Sequence, residues 1–417
     1  MGAREVSVIV VSRGRPRELT LCLTALGQQL FQPFEVVVVA DPAGIAAATA
    51  HPLAAHLRLV AFNAPNIAAA RNAGLAAAAG EIIAFIDDDA FAEPTWLGRL
   101  TQPFDDPGVA ATGGFVRGRN GISFQWQARA IDVFGQHHDL PCAGSAARVV
   151  TPPKGMAVRT EGTNCAYRRE TLAALGGFDP AYRFYMDDAD PRGRHDVHDL
   201  RLWHQRRRRP GARQAQVVHV MAPSRIRAAK RQPLDLTEIG ASIAHFLTQF
   251  APRARYAGAL ADLRMAERKR LLRHLVAGNC VPGDIARLMD GFDRGAADGA
   301  ARNLETGWDG TQHSRFSPIP TTDDPPVILS GRPAQAGRLR AEAARRINNG
   351  ERVSLFVLSR TTLFHQVRFR APGYWEQTGG IFGRAVRSER LISVQSWNRR
   401  LETEIARVAK TRGLAHS

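Results

Sequence analysis

Ile82 Ile83 Ala84 Phe85 Ile86 Asp87 Asp88 Asp89 is the stretch on which the reading of this 417-residue chain turns. Five apolar residues in a row suit a strand covered on both faces, as in a parallel sheet. Three adjacent carboxylates at its end are costly to bring together unless a cation neutralises them, and hard divalent cations prefer oxygen ligands. The strand end therefore reads as a metal site able to hold a diphosphate. A competing reading is a solvated strand-to-helix turn, with Asp89 capping a helix that starts near Glu93 Pro94 Thr95 Trp96 Leu97. For an isolated Asp-Asp-Asp the turn is favoured, so the flanking sequence decides.

Upstream, Val6 to Val11 is a nearly continuous β-branched run, followed by the turn Ser12 Arg13 Gly14 Arg15 Pro16 Arg17 and a leucine-spaced helix over 18–29. Phe34 to Ala40 reads as a second strand closed by the turn Asp41 Pro42 Ala43 Gly44, Leu57 to Phe62 as a third and Glu81 to Ile86 as the fourth, with an alanine-rich helix over 66–79. This alternation predicts a mainly parallel sheet flanked by helices, with ligands at the carboxyl ends of the strands. Beyond about residue 110 the pattern is mixed. It holds strands at Val109 to Phe115 and Thr163 to Tyr167, a helix over 169–175 stopped by Gly176 Gly177, and helices within 235–275. Residues 307–334 are rich in Gly, Pro, Ser, Thr and Asp and read as a linker or long loop. The last eighty or so residues offer strands at Val353 to Leu358 and Phe364 to Phe369 and a helix from about Asn398.

The length allows two domains, or one large domain with an appendage. A net charge of +17 and an isoelectric point near 10.9 attract anionic partners: nucleotides, nucleic acid, anionic lipid or acidic glycans. Nucleic acid is disfavoured, because the basic residues are not interleaved with aromatics, which are only 7% of the chain. Cys22, Cys142, Cys165 and Cys280 are far apart and suit neither a zinc site nor a disulfide framework. No apolar run approaches the roughly 20 residues needed to cross a bilayer, and no signal segment opens the chain. A cytoplasmic protein is expected, with peripheral attachment at the inner membrane face left open.

In a parallel sheet, Ser12 with its arginine-rich turn, Asp41, Arg71 with Asn72, and Asp87 to Asp89 share one crevice. A carboxylate there can accept from a ribose or base edge, an arginine can hold a phosphate, and an aspartate-bound cation can neutralise a departing diphosphate. Such a site suits breaking a bond to a nucleoside diphosphate.

These segments resemble the family-2 glycosyltransferases of the A-type fold over residues 5 to about 190. The resemblance rests on Val6 to Ser12, on Val36 to Asp41, on Asn66 Ile67 Ala68 Ala69 Ala70 Arg71 Asn72 Ala73 Gly74, and on Phe85 to Asp89. Glu161 Gly162 Thr163 Asn164 Cys165 Ala166 Tyr167 Arg168 and Gly176 Gly177 Phe178 Asp179 complete it. It implies a Rossmann-like nucleotide-diphospho-sugar transferase fold over 1–225; outside the resemblance, the residue pattern reads as a helical extension over 226–306 and a small C-terminal α+β region over 335–417. Ser12, Arg13, Asp41, Arg71, Asn72, Asp87 and Asp88 would then bind a nucleotide-diphosphate sugar, Asp41 at the uracil or ribose. Asp87 and Asp89 would be the outer members of a D-x-D motif, with Asp89 as the direct ligand of Mg2+ or Mn2+. His219 sits where similar enzymes place a histidine on the metal, although a lone histidine in an apolar strand also suits a packed core. Glu161 and Asn164 would line the acceptor or donor-sugar side, or simply bond at a strand end.

At Phe184 Tyr185 Met186 Asp187 Asp188 Ala189 Asp190 the resemblance supplies a general base, Asp188 with Asp187 beside it. An acceptor hydroxyl is a very weak acid and must lose its proton as it attacks. The competing reading is an acidic cluster at a helix start. The implied activity is inverting, metal-dependent transfer of a sugar to a glycan or lipid-linked acceptor in surface polysaccharide biosynthesis.

The match breaks at 191–211, where a D-L-x-x-R-L helix is replaced by an arginine-, histidine- and glycine-rich stretch with Pro191, Gly193 and Arg206 Arg207 Arg208 Arg209. An altered reading frame is one account, and a basic loop touching an anionic acceptor or membrane is the other. The break keeps a second function open: a nucleotide-sugar-binding pseudoenzyme or assembly subunit with impaired catalysis. His137 and His138 read as loop residues without a defined partner, and Tyr374 to Gly380 as a core aromatic with a turn, or a loop stacking Trp375 on sugar.

Overall fold

Strand and helix alternate from the start: β1 (Val6–Ser12), α1 (Pro16–Leu26), β2 (Phe34–Ala40), α2 (Pro42–Thr49), β3 (Leu57–Ala61), α3 (Ile67–Ala77) and β4 (Ile82–Asp87). The computed structural model describes residues 4–140, 146–150, 153–186, 201–206, 215–220, 222, 227–228, 232–311, 314–320 and 326–414. β1 pairs in parallel with β2 and β4, and β2 with β3. Along β1, Val6, Val8 and Val10 enter the core under α1, while Ile9 faces the core under α3. Both faces are covered, which is why the strand reads as an unbroken apolar run.

The chain continues through β5 (Ala90–Ala92), α4 (Trp96–Thr101), β6 (Val109–Gly113), β7 (Phe115–Arg117), β8 (Phe124–Trp126), β9 (Arg129–Asp132), β10 (His137–Asp139), β11 (Ala146–Val150) and β12 (Met156–Arg159). β13 (Cys165–Arg168), α5 (Arg169–Leu175), β14 (Arg201–Arg206) and β15 (Gln216–His219) follow. The large sheet has the order β11-β14-β6-β13-β4-β1-β2-β3, with β13 antiparallel to both neighbours. A second sheet, β5-β15-β7-β8, stands at the carboxyl end of β4, and a third is β10-β9-β12.

Several expectations are corrected. The expected strand Val109 to Phe115 is two strands in different sheets, divided at Gly114, where the Asn164 side chain fills the space a Cβ would need. Asp41 Pro42 Ala43 Gly44 does not close a turn; it opens α2, with Asp41 as its N-cap. Asp89 does not cap the next helix, since α4 starts at Trp96 after Thr95. His137 and His138 lie on β10 with defined partners: the His138 ring nitrogen Nε2 is 2.9 Å from Asp132, and Arg159 bonds His137. Cys22, Cys165 and Cys280 are buried free thiols, and Cys142 lies outside the described residues.

The extension consists of α6 (Thr237–Phe250), α7 (Tyr256–Val276) and α8 (Pro282–Ala301). It is pinned to the N-terminal α/β unit by a fully buried pair, Asp179 with His245 Nε2 at 2.9 Å. Two backbone amides and His245 hold the Asp179 carboxyl below its usual range against the opposing pull of burial. At the C-terminus, β16 (Val327–Gly331), α9 (Ala336–Asn348), β17 (Val353–Ser359), β18 (Gln366–Arg370), β19 (Tyr374–Gly380) and α10 (Trp397–Arg412) build a sheet of order β16-β17-β19-β18. β16 therefore takes part of the expected linker, and Tyr374 to Gly380 is a strand, with Trp375 in the core. Among the described residues no helix is long and apolar enough to cross a membrane.

Candidate active site

Parallel register aligns the strand ends that carry the polar residues. Ser12 lies opposite Ala40, so Asp41 follows at the same edge, and Val11 lies opposite Asp87. Antiparallel pairing of β15 with β5 then sets His219 opposite Ala90, directly after the three aspartates. One ligand atom each of Asp87, Asp89 and His219 falls within 4.8 Å of the others. His219 Nε2 is 3.1 Å from Asp89 Oδ1 and 3.9 Å from Asp87 Oδ2. Asp89 and His219 are buried and Asp87 is half-exposed, so the cluster opens to one side. Two carboxylates and an imidazole form a donor set that Mn2+ or Mg2+ fits.

The middle aspartate does other work. Asp88 is wholly buried, accepts a 2.7 Å hydrogen bond from Ser12 Oγ and pairs with Arg15 Nη2 at 2.6 Å. The same guanidinium reaches Asp89 Oδ2 at 3.0 Å, where the Ala222 amide also donates at 2.7 Å. Burial pushes the Asp88 carboxyl up to about 8, with Asp89 and Asp87 adding to the rise and Arg15 and Ser12 opposing it. Burial acts on Asp89 in the same direction, but His219, Arg15 and the Ala222 amide outweigh it and hold that carboxyl well below the usual range. Arg15 is held charged: the three carboxylates outweigh its own burial.

The other expected residues fall into groups. Asp41 accepts from the Gly14 and Gly44 amides, each at 2.9 Å, and so joins the turn after β1 to the start of α2 at the crevice edge. Arg13 reaches the Asn63 carbonyl across the same edge. Arg71 is buried, its guanidinium 5.7 Å and 5.3 Å from the ring centres of Phe85 and Phe178. Asn72 exchanges two hydrogen bonds with the Phe178 backbone, at 2.7 and 2.8 Å, and so clamps the Gly176 Gly177 Phe178 segment. Asn164 is wholly buried; it accepts from Trp96 Nε1 and donates to the Phe115 and Ala215 carbonyls, the strand-end alternative. Glu161 pairs with Arg129. Asp187 and Asp188 lie outside the described residues.

Three neighbours went unrecognised in the sequence. Arg15 carries the fork onto two aspartates. Trp126 packs on the His219 ring with centres 5.7 Å apart, and Arg129 lies 5.4 Å over Trp126. Only Arg15 left a signal, as part of the basic turn after β1. A separate cleft of about 530 Å³ lies between α4 and the end of α10, lined by Leu30, Phe31, Arg99, Lys410 and Leu414 among others, and shares no residue with the triad.

Residues 7–175 match the model of Glycosyl transferase family 2. The Glucosyl-dolichyl phosphate glucuronosyltransferase of Haloferax volcanii is 29% identical over 115 residues, 27% of this chain and 34% of that protein. The aligned part thus spans about a third of that relative's length. Among solved structures, S. aureus TarS is 20% identical with a TM-score of 0.39, over 62% of this chain and 43% of that one. The mannosyltransferase PcManGT of Pyrobaculum calidifontis, in complex with GDP-Man and Mn2+, is 18% identical with a TM-score of 0.35, over 72% and 88%. Residues 7–175 contain the parallel block from Ser7 in β1 through β4 and both carboxylates of the triad, and over them the chain matches the glycosyl transferase family 2 model.

Proposed function

We propose that the protein is an inverting, divalent-metal-dependent glycosyltransferase that moves a sugar from a nucleoside-diphosphate donor to a hydroxyl of a glycan or lipid-linked acceptor. The observation that carries this reading is the convergence of Asp87, Asp89 and His219 beside Ser12 and Asp41 at the carboxyl edge of the parallel strands. A divalent cation bound there supplies charge neutralisation to a departing diphosphate. Arg15 and the Ala222 amide fix Asp89 so that Oδ1 faces His219. Asp41, at the edge beside Ser12, takes the base or ribose, and the half-exposed Asp87 forms the open side toward the donor.

The acceptor oxygen bonds to the anomeric carbon while the bond from that carbon to the diphosphate breaks, and a single displacement inverts the configuration. The hydroxyl proton passes to a carboxylate. The motif from Phe184 to Asp190 assigns this to Asp188, with Asp187 beside it. The acceptor class draws support from the Haloferax volcanii relative, whose name specifies a dolichyl phosphate-linked sugar as what it acts on.

The test is release of nucleotide from UDP-, GDP- and dTDP-sugars with Mn2+ or Mg2+, with the product's anomeric configuration read by NMR. Release that chelation abolishes is expected; no turnover and no metal-dependent nucleotide binding with any donor would reject the reading. Asp188→Asn is expected to lower transfer by about 10² to 10⁴-fold while nucleotide binding persists. Unchanged rates in that variant would favour the nucleotide-binding subunit instead.

A further inference from the structure

At the carboxyl ends of β17 and β19, two loops leave five large apolar side chains in water. Leu363 and Phe364 lie between β17 and β18; Leu391, Ile392 and Val394 follow β19, with Val394 92% exposed. Backbone bonds make the loops one surface: Gly380 N donates to Leu363 O, Phe382 N to Thr361 O and His365 N to Arg384 O, and Gly383 bridges Ile392. The apolar tips are therefore held outward by a laced framework.

Their polar surroundings carry a single sign. Arg360, Arg387 and Arg390 are exposed, and the Arg384 guanidinium lies 4.9 Å over the Phe364 ring. Glu389 is the single carboxylate in these loops, and Arg400, Arg407 and the Ala385 amide take up its oxygens. The surface borders the catalytic unit on its working side. Val367 N, just after the first loop, donates to Asn120 O in the turn between β7 and β8. β7 runs parallel to β15, with Val218 opposite Arg117, so that turn is at the same end of its sheet as His219.

We propose that this surface docks the protein on an anionic lipid bilayer. The five apolar side chains enter the boundary between head groups and acyl chains, and Arg360, Arg387 and Arg390 face lipid phosphates. A second copy of the chain fits poorly, since a two-fold contact would oppose the same arginines on both sides, and the one carboxylate there, Glu389, is already taken up by Arg400 and Arg407. The proposal goes beyond the transferase reading, and vesicle binding is measured without turnover, so either can fail alone.

The test is flotation of the full chain with vesicles of phosphatidylcholine alone and of phosphatidylcholine with phosphatidylglycerol. Binding to the anionic vesicles that weakens with salt is expected. Arg387→Gln with Arg390→Gln should weaken it by about tenfold or more, and Leu363→Ser, Phe364→Ser and Ile392→Ser together should abolish it, with circular dichroism and nucleotide binding unchanged. Three results would overturn the proposal: equal binding to both vesicle types, wild-type binding by the loop variants with loss only on neutralising Arg206 to Arg209, or a dimer without vesicle binding that the apolar variant converts to monomer.

Discussion

Asp89 concentrates the chemistry of the site because both of its oxygens are aimed, Oδ1 at His219 and Oδ2 at Arg15 and the Ala222 amide. Asp89→Asn keeps the size but removes the charge a cation would need. Metal-dependent donor turnover is expected to fall by about a hundredfold or more, read by Mn2+ titration alongside calorimetric nucleotide binding. An unaltered Mn2+ response would remove the triad from the reaction. Asp41, Ser12 and Asp87 were legible in the sequence because parallel strands that start together end together. The role of Asp88 was not. Its neighbours Ser12 and Arg15 lie more than seventy residues earlier, and nothing local marks it as the buried member that turns away from the opening.

Elements were legible where one period dominated and hidden where glycine weakened it. β1, β2 and β4 are unbroken apolar runs, and α5 was delimited by Gly176. α8 was not singled out, since Gly283, Gly291, Gly295 and Gly299 lower its intrinsic helix propensity. Gly291, Gly295 and Gly299 are where α6 and α8 meet: a Cβ on Gly295 would collide with the Thr237 carbonyl, and one on Gly299 with that of Ala241. Gly295→Ala is expected to destabilise the extension by about 3 kcal/mol, measured as a lower urea midpoint for the helical signal, because backbone on the other side cannot yield. Where the loop after β19 meets α10, the charge arrangement sets a pH response. Burial would raise the Glu389 carboxyl, but the Ala385 amide, Arg407 and Arg400 bring it down to about 2. Its folded value lies below its unfolded value near 4.5, so the stability it contributes is complete above about pH 4.5 and lost as pH falls through about 2. Glu389→Gln should therefore cost about 2 kcal/mol at neutral pH and little at the acid end, so that the variant's urea midpoint converges on wild type as the solution is acidified.

At the scale of the whole molecule, the C-terminal sheet is built into the surface of the N-terminal α/β unit, a relation no local sequence pattern could reveal. Val367, Phe369, Trp375 and Ala385 share one core with Ala25, Phe91, Ile122 and Val218. Beside that core, Arg412 Nε meets Glu93 Oε2 at 3.0 Å with both side chains 2% exposed. The same guanidinium donates to Ser354 Oγ and lies 4.9 Å over Trp375. Glu93 stands just after β5, the strand that places His219 by pairing, so the tether reaches back to the triad's scaffold. Arg412→Met leaves Glu93 buried without its cation and should destabilise the protein by about 3 to 5 kcal/mol. Adding Glu93→Gln removes the stranded charge, so the double variant should be more stable than the sum of the single losses predicts, as measured by a urea-denaturation cycle. Strictly additive losses would mean that the two side chains are not coupled, and the C-terminal sheet would then be held by its apolar contacts alone.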